Sequence, residues 1–320
     1  MSAVTISVII ATRNRESILR KTLGKAVEAI EGKNVEIIVV NDGDKELSVP
    51  DIFSEKIICI KNFNRGVCYA RNMGASHSRG AILFFIDDDM WINGEIIDWI
   101  NEQLLQNKQS DAVYNINWEY PPSLERELRN NKIGKYILSS GYNTMWGRMN
   151  EKGEKPESGL YKFNAIASCS LVLSKELFNK IGRYNESISF QGEDIDLANR
   201  INQLSIPVYC VFETTLYHNH EDRLDLNGFL DRAKKGYYSQ YIAEKEGHIP
   251  LSDNNYKKPN IYMYNAFLFS EKIWISLYKS LPNNKLLEPF VNKLIGLLSG
   301  LEKYKQWKNV FSKSDHSFQK

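Results

Sequence analysis

Short apolar runs alternate with segments of helical periodicity over the first hundred residues of the chain. Strands are predicted where β-branched and aromatic residues cluster, at residues 5–11, 35–40, 56–61, 81–86 and 112–116. Helices are predicted where apolar residues recur every three or four positions, at residues 15–30, 67–78 and 95–105. Apolar strands separated by helices form mostly parallel sheets with both faces covered. The sequence therefore predicts an α/β fold with a mostly parallel central sheet flanked by helices.

The pattern changes twice further along the chain. Residues 119–159 are polar and aromatic without a clear period, and we interpret them as loop-rich. Ordered segments follow, at residues 163–173, 175–181, 192–197 and 208–212. From residue 226 onward helical periodicity dominates, with apolar stripes at residues 267–278 and 286–304. We predict an α/β domain over residues 1–225 and a helical C-terminal extension over residues 226–320.

An amphipathic stripe in the C-terminal region combines Trp274, Leu277 and Tyr278 with Lys272 and Lys279. Packing into a core or a homodimer is the commoner reason for such a stripe, and peripheral attachment to a membrane is the alternative. The modest positive charge of the chain favours packing.

Composition narrows the classes of partner. The formal net charge is only +2, with 25% charged residues, so we expect no nucleic acid as partner. The four cysteines form no Cys-x-x-Cys pair, which argues against a zinc or redox motif. The N-terminus shows no leader pattern, and no apolar run reaches the roughly 18 residues of a spanning helix. We expect a cytoplasmic protein, with peripheral attachment at the inner face of the membrane left open.

Three consecutive carboxylates, Asp87, Asp88 and Asp89, directly follow the apolar run at residues 81–86. Adjacent negative charges repel one another, and a divalent cation relieves that repulsion. Residues two apart in an extended segment share a face, so Asp87 and Asp89 can act together while Asp88 points away. A solvated acidic turn explains the same residues without a ligand. The position at the end of a buried strand favours a metal site.

Other polar residues follow predicted strands at the same edge of the sheet. The group after the first strand consists of Ala11, Thr12, Arg13 and Arg15. Asp42 follows the second strand, where it can bind a base or ribose or simply make a turn with Gly43. Asn14 is interpreted as the cap of the next helix.

A glycine and an arginine mark the start of the helix predicted at residues 67–78. Gly66 permits close backbone approach just before that helix, whose N-terminus favours anions. Arg71 can face phosphates from within the helix, although a salt-bridged arginine is the ordinary alternative.

Two further pairs carry chemistry in the second half of the chain. Glu193 and Asp194 form a like-charged pair that can serve as a general base, or can merely oppose a helix dipole. His218 and His220 lie two apart in an extended segment, and imidazoles with an aspartate suit Mn²⁺ or a similar ion.

The order of these segments is more informative than any one of them. From the N-terminus they read SVIIATRNR, VVNDGD, NRGVCYARN, FFIDDD, GEDIDLANR and YHNH. This order resembles the family 2 glycosyltransferases, which have the GT-A fold. The resemblance extends over residues 4–220 and is closest over the first 90 or so.

The resemblance implies a role for each matching residue. Thr12, Arg13 and Asp42 would contact the nucleoside, together with the neighbouring Ala11 and Arg15. Arg71 would line the nucleotide pocket behind Gly66. Asp87 or Asp88 would lie near the ribose. The metal would be held by Asp89, with Asp87 and His218 as further candidates. Asp194 would be the catalytic base and Glu193 would assist at the acceptor.

The implied activity is transfer of a sugar from a nucleotide-diphospho-sugar, usually a UDP-sugar, with Mn²⁺ or Mg²⁺ and with inversion. The donor half would be residues 1–118 and the acceptor half residues 119–225. The acceptor would be a glycan, a lipid-linked molecule or a peptide in polysaccharide or glycoconjugate assembly. Two alternatives stay open, a sugar nucleotidyltransferase and a non-catalytic sugar- or partner-binding module. The glycine-free segment ATRNRES counts against the first, and the intact acids count against the second.

Overall fold

The computed structural model describes residues 4–48, 56–106, 109–140, 155–252 and 258–311. The strands are β1 (Ile6–Thr12), β2 (Val35–Asn41), β3 (Ile57–Lys61), β4 (Ile82–Asp87), β5 (Met90–Trp91), β6 (Val113–Glu119), β7 (Leu160–Phe163), β8 (Ser170–Ser174) and β9 (Val208–His218). The α-helices are α1 (Glu16–Ala29), α2 (Val67–His77), α3 (Gly94–Ile100), α4 (Pro122–Arg129), α5 (Lys132–Ser139), α6 (Lys175–Ile181), α7 (Glu193–Gln203), α8 (Leu226–Lys245), α9 (Lys258–Phe269), α10 (Glu271–Ser280) and α11 (Glu288–Phe311).

The strands form one sheet in the order β3-β2-β1-β4-β8-β6-β9-β5, with β7 also paired to β9. β3, β2, β1 and β4 are parallel, as the apolar runs predicted. β8 then enters antiparallel between β4 and β6, so the sheet as a whole is mixed. The α/β fold with a central sheet and flanking helices is confirmed. The parallel half brings the carboxyl ends of β1, β2 and β4 to one edge.

The chain divides into two compact units. The first contains the whole sheet with α1, α2, α3, α6 and α7, and comprises Met1–Pro121, Asn143–Ser189 and Glu193–His220. The second contains α4, α5 and α8 to α11, and comprises Pro122–Tyr142, Phe190–Gly192 and Glu221–Lys320. The second unit has its own apolar core, in which α11 supplies Val291, Ile295, Leu298 and Leu301. Among the described helices, none combines the length and the apolar character needed to cross a membrane.

Two sequence-based predictions of local structure are wrong. Helices α4 and α5 occupy much of the segment that we interpreted as loop-rich; they are too short to show a clear period. The rest of that segment, residues 141–154, lies outside the described residues. Asn14 does not cap α1, because Arg15 occupies the cap position without a side-chain capping bond. Asn14 has a φ of 56°, and its Oδ1 accepts a hydrogen bond from the Asp44 amide at 3.2 Å.

Candidate active site at the carboxyl edge of the sheet

The predicted polar residues do meet at one edge of the sheet. Thr12 pairs in register with Asn41 at the ends of β1 and β2, and Ala11 pairs with Asp87 at the ends of β1 and β4. Asp42 and the carboxylates after Asp87 follow directly. This convergence arises because parallel strands of similar length end at the same edge.

Asp88 is buried, and residues in and next to β1 and α1 bond to its polar groups. Thr12 Oγ1 donates to its carboxylate at 2.7 Å, and Arg15 Nη1 forms an ion pair with it. Thr22 Oγ1 donates to the Asp88 carbonyl at 2.7 Å. Burial, followed by the adjacent charge of Asp89, raises the pKa of Asp88 to about 7. These contacts hold the turn after β4 in place. Asp88 therefore has a structural role, which the sequence alone did not specify.

Asp89 is fully buried and faces two histidines. Its Oδ2 accepts a hydrogen bond from Arg15 Nη2 at 3.0 Å, and its Oδ1 lies 3.2 Å from His218 Nε2. One ligand atom each from Asp89, His218 and His220 lies within 4.8 Å of the others. The backbone holds this group together, because Met90 pairs with His218 and the Asn219 amide donates to the Asp89 carbonyl at 2.7 Å.

The donor atoms of this group fit a divalent cation. Both ring nitrogens of His218 are buried, and neither has hydrogen-bond geometry to a described residue, although Nε2 lies 3.2 Å from Asp89 Oδ1. A buried polar group without a hydrogen bond costs about 1–3 kcal/mol, and coordination of a cation would satisfy one nitrogen. The Trp118 ring stands at 90° to the imidazole with centroids 4.8 Å apart, which fixes its orientation. Asp87 does not belong to this group.

Arg71 connects the end of β4 to the start of α7. The residue is only 3% exposed. Its Nη2 donates to Asp87 at 2.9 Å and its Nη1 donates to Glu193 at 3.1 Å. The guanidinium also lies 5.3 Å from the ring centroid of Tyr184, a cation–π distance. Both terminal nitrogens therefore contact carboxylates, the arrangement that sequence analysis gave as the ordinary alternative to phosphate binding.

Asp194 is held by Ser168, which lies in the loop before β8. The Ser168 amide donates to Asp194 Oδ1 at 3.0 Å, and the Ser168 hydroxyl contacts the same oxygen. Tyr184 Oη in turn donates to Ser168 Oγ at 2.8 Å. Burial raises the pKa of Asp194. Burial and the charge of Asp194 also raise the pKa of Glu193 to about 7. Both acids do occupy the first turn of α7, but they are also partly buried, and burial tunes a carboxylate toward the pKa of a general base.

Asp42 lies under the loop that precedes α2. Its Oδ1 accepts hydrogen bonds from Asn62 Nδ2 at 2.7 Å and from the Gly66 amide at 2.8 Å. Gly66 has a φ of 118°, which disfavours any residue with a side chain. Arg13 is half exposed, and its Nη1 lies 3.8 Å from Asp42 Oδ2. The charged guanidinium of Arg13 therefore faces outward beside the end of β1.

Sequence reasoning missed several residues of this edge. Ser168 and Tyr184 support Asp194, and Trp118 and Tyr120 surround the histidines. Tyr120 lies in the segment interpreted as loop-rich. Ser168 had one usable signal, its position just before a predicted strand, but nothing in the sequence pointed to Asp194 as its partner.

Known proteins share both sequence and fold with this chain. The profile described as Glycosyl transferase family 2 matches residues 7–181. Glycosyltransferase GlyA of Streptococcus pneumoniae serotype 4 is 34% identical over 248 residues, which cover 76% of this chain and only 32% of GlyA. An uncharacterized glycosyltransferase of Haemophilus influenzae is 24% identical over 306 residues, with 92% of this chain and 96% of that protein covered.

Solved structures show the same fold at low identity. The mannosyltransferase PcManGT from Pyrobaculum calidifontis, in complex with GDP-Man and Mn²⁺, has a TM-score of 0.54 over 98% of this chain and 89% of that chain, at 12% identity. GalNAc-T7 with UDP, GalNAc and Mn²⁺ has a TM-score of 0.50 over 88% of this chain and 58% of that chain, at 15% identity. The expected GT-A fold is confirmed. Because the family profile covers more than half of the chain, the chain belongs to glycosyl transferase family 2.

Proposed function

We propose that this chain transfers a sugar from a nucleotide-diphospho-sugar to an acceptor hydroxyl, with inversion, in polysaccharide or glycoconjugate assembly. The observation that carries the proposal is the Arg71 bridge, with its 2.9 Å and 3.1 Å contacts. The buried Arg71 guanidinium ties Asp87, at the end of β4 on the donor side, to Glu193 in the first turn of α7. Donor and base are thereby held in one site, as a direct transfer between two bound molecules requires.

In this proposal Asp194 takes the proton from the acceptor hydroxyl. Ser168 orients the carboxylate, and Tyr184 orients Ser168. The hydroxyl oxygen then attacks the anomeric carbon while the bond to the diphosphate breaks on the opposite side. Glu193 stays paired with Arg71 and assists at the acceptor. We assign the donor to residues 1–118 and the acceptor side to residues 119–225, with the helical extension beyond.

The nucleoside would lie over Asp42 and Arg13, next to Thr12 and Ala11. Asp42 Oδ1 is taken by Asn62 and Gly66, so Oδ2 and the half-exposed Arg13 remain for the base or ribose. UDP-sugars and GDP-sugars are both reasonable donors to test. The neighbour GalNAc-T7 was solved with UDP and PcManGT with GDP-Man.

Asp89, His218 and His220 would hold the divalent cation, with Arg15 fixing the second oxygen of Asp89. A bound cation would neutralise the diphosphate as it leaves. Two imidazoles among three ligands favour Mn²⁺ over Mg²⁺, because Mg²⁺ takes oxygen ligands almost exclusively. Asp87, held by its bond to Arg71, would lie on the ribose side of the donor.

Release of nucleoside diphosphate from a panel of nucleotide-sugars tests the proposed function. Formation of pyrophosphate from a nucleoside triphosphate and a sugar phosphate would instead indicate the nucleotidyltransferase. Binding of sugars without any release would indicate the non-catalytic module.

The raised pKa values of the acid pair set the direction of the pH dependence. A general base acts when deprotonated, so transfer should rise with pH through the range that ends near the pKa of about 7 for Glu193. The folded state binds these protons more tightly than the unfolded chain does. The pair therefore makes the fold less stable as pH rises from the ordinary carboxyl range to about 7.

Ser168→Ala is expected to move the acidic limb of the pH–rate profile to higher pH. The Ser168 hydroxyl bonds to the carboxylate and lowers the pKa of Asp194, so its removal raises that pKa. Below the limb, turnover should fall roughly tenfold, the value of a lost charge-assisted hydrogen bond. The measurement is turnover against pH at saturating donor.

Ser168→Thr is the matched control, because it keeps a hydroxyl and should restore the position of the limb. Tyr184→Phe should move the limb in the same direction as Ser168→Ala. A uniformly lower rate with an unmoved limb in Ser168→Ala would mean that Ser168 only supports the fold, and the positioning role would be wrong.

A further inference from the structure

Helices α9 and α10 pack one face into the core of the second unit. The residues on this face contact the cluster around Ile295 and Leu298, and they are Tyr264, Phe267, Leu268, Trp274, Ile275 and Tyr278. Trp274 Nε1 also donates to Ser270 Oγ at 2.9 Å. Core packing, which we favoured for the stripe around Trp274 and Tyr278, is thereby confirmed for these two residues. Trp274 and Tyr278 therefore face the core and not the outer surface.

The opposite face of the same two helices is apolar and exposed. Phe269 is 96% exposed, Tyr262 is 75% exposed and Ile273 is 66% exposed. Tyr262 and Phe269 lie seven residues apart in α9, and Ile273 lies on the exposed side of α10. We call this surface the outer face of α9 and α10. Large side chains this exposed on consecutive helices normally mark a surface that is covered by something else.

The charge on the outer face is positive and uncompensated. Lys272 and Lys279 are exposed on the same side of α10, and neither has an ion-pair partner among the described residues. The glutamates nearby are already paired. Glu271 and Glu302 both bind Lys305, and Glu288 lies 3.4 Å from Lys135.

The positive charge is also concentrated in this part of the sequence. Residues 258–311 contain eight lysines, three glutamates and no arginine or aspartate, a formal charge of +5. The whole chain has a net charge of +2, so the rest carries −3. The near-neutral total that argued against an anionic partner therefore conceals a strongly basic helical segment.

We propose that the outer face of α9 and α10 docks on the surface of an anionic lipid bilayer. Aromatic and aliphatic side chains flanked by lysines are the pattern of helices that lie in a membrane interface, with the lysine heads among the lipid headgroups. A second copy of the chain is a poorer occupant, because a two-fold contact through this face would bring Lys272 and Lys279 against their own copies. The anionic leaflet of a membrane presents the negative charge that the lysines require. This proposal does not depend on the proposed function.

Co-sedimentation of the full chain with vesicles tests the proposal. The protein should pellet with vesicles of phosphatidylcholine and phosphatidylglycerol, remain in solution with pure phosphatidylcholine, and lose binding as salt rises. The double variant Phe269→Glu and Ile273→Glu should lower the partition coefficient about tenfold or more. Lys272→Gln with Lys279→Gln should lower it about thirtyfold.

Phe63→Glu is the matched control, because Phe63 is 83% exposed in the first unit and should not contribute. All substituted side chains are exposed, so thermal unfolding should stay unchanged and loss of binding cannot reflect misfolding. Equal binding to neutral and anionic vesicles, or no binding to either, would overturn the proposal. Concentration-dependent dimers in light scattering that Phe269→Glu and Ile273→Glu abolish would overturn it in favour of a second copy.

Discussion

Asp194→Asn is expected to lower the turnover number by about a thousandfold while donor binding stays close to that of the parent. General base catalysis contributes about 10²–10⁴ to a rate, and an asparagine of the same shape cannot accept the acceptor proton. The amide can still bond to Ser168, so the surrounding structure should persist. Turnover with an active donor, and calorimetric binding of the nucleoside diphosphate, separate the two effects.

Asp196→Asn provides the matched control in the same helix. Asp196 is buried in α7, and its carboxylate accepts a hydrogen bond from Arg200 at 3.1 Å and not from Ser168. Any loss of turnover in Asp196→Asn should be no larger than the decrease in the fraction of folded protein. Near-normal turnover in Asp194→Asn would contradict the assignment of the base.

Asp89→Ala is expected to weaken nucleoside diphosphate binding in the presence of Mn²⁺ by about a hundredfold or more. Loss of a residue that merely orients a metal ligand already costs about 10–100-fold, and Asp89 would supply a ligand atom itself. In the absence of Mn²⁺ the variant and the parent should bind alike, because only the cation-dependent part of the affinity is lost. Calorimetry with and without Mn²⁺ measures both parts.

A second variant separates metal binding from folding. Asp89 is fully buried beside Arg15, so an alanine at this position removes a carboxylate that the Arg15 guanidinium contacts. Asp89→Asn keeps the shape and an oxygen, and should show the same loss of Mn²⁺ dependence with less effect on stability. If the parent itself binds nucleoside diphosphate equally with and without Mn²⁺, the metal role is wrong.

Much of the framework of this site could be predicted from the sequence. The runs at β1, β2 and β4 are mostly apolar, so a parallel arrangement and a common carboxyl edge followed from elementary rules. The acids after β4 and Asp42 were correctly expected at that edge. His218 and His220 were expected to join an aspartate, and their extended segment does place both beside Asp89.

The contacts that give the site its character could not be predicted. Arg71 reaches a residue 122 positions away, and no local pattern specifies which carboxylate a buried arginine will meet. Ser168 contacts Asp194 only because β8 enters the sheet antiparallel beside β4, a reversal that no run of apolar residues announces. The role of Asp88 within the acidic triplet could not be predicted either, because its contacts with the distant residues Thr12 and Arg15 decide that role.

Proton NMR of the parent protein, mixed with α-linked UDP- and GDP-sugars and Mn²⁺ and with water or a supplied alcohol as acceptor, shows directly whether the chain transfers a sugar with inversion. We predict release of nucleoside diphosphate together with a β-configured sugar product, read before mutarotation, because a single displacement inverts the anomeric carbon. A product that keeps the α configuration, or no release of nucleoside diphosphate from any donor in the panel, would rule out inverting transfer by this chain.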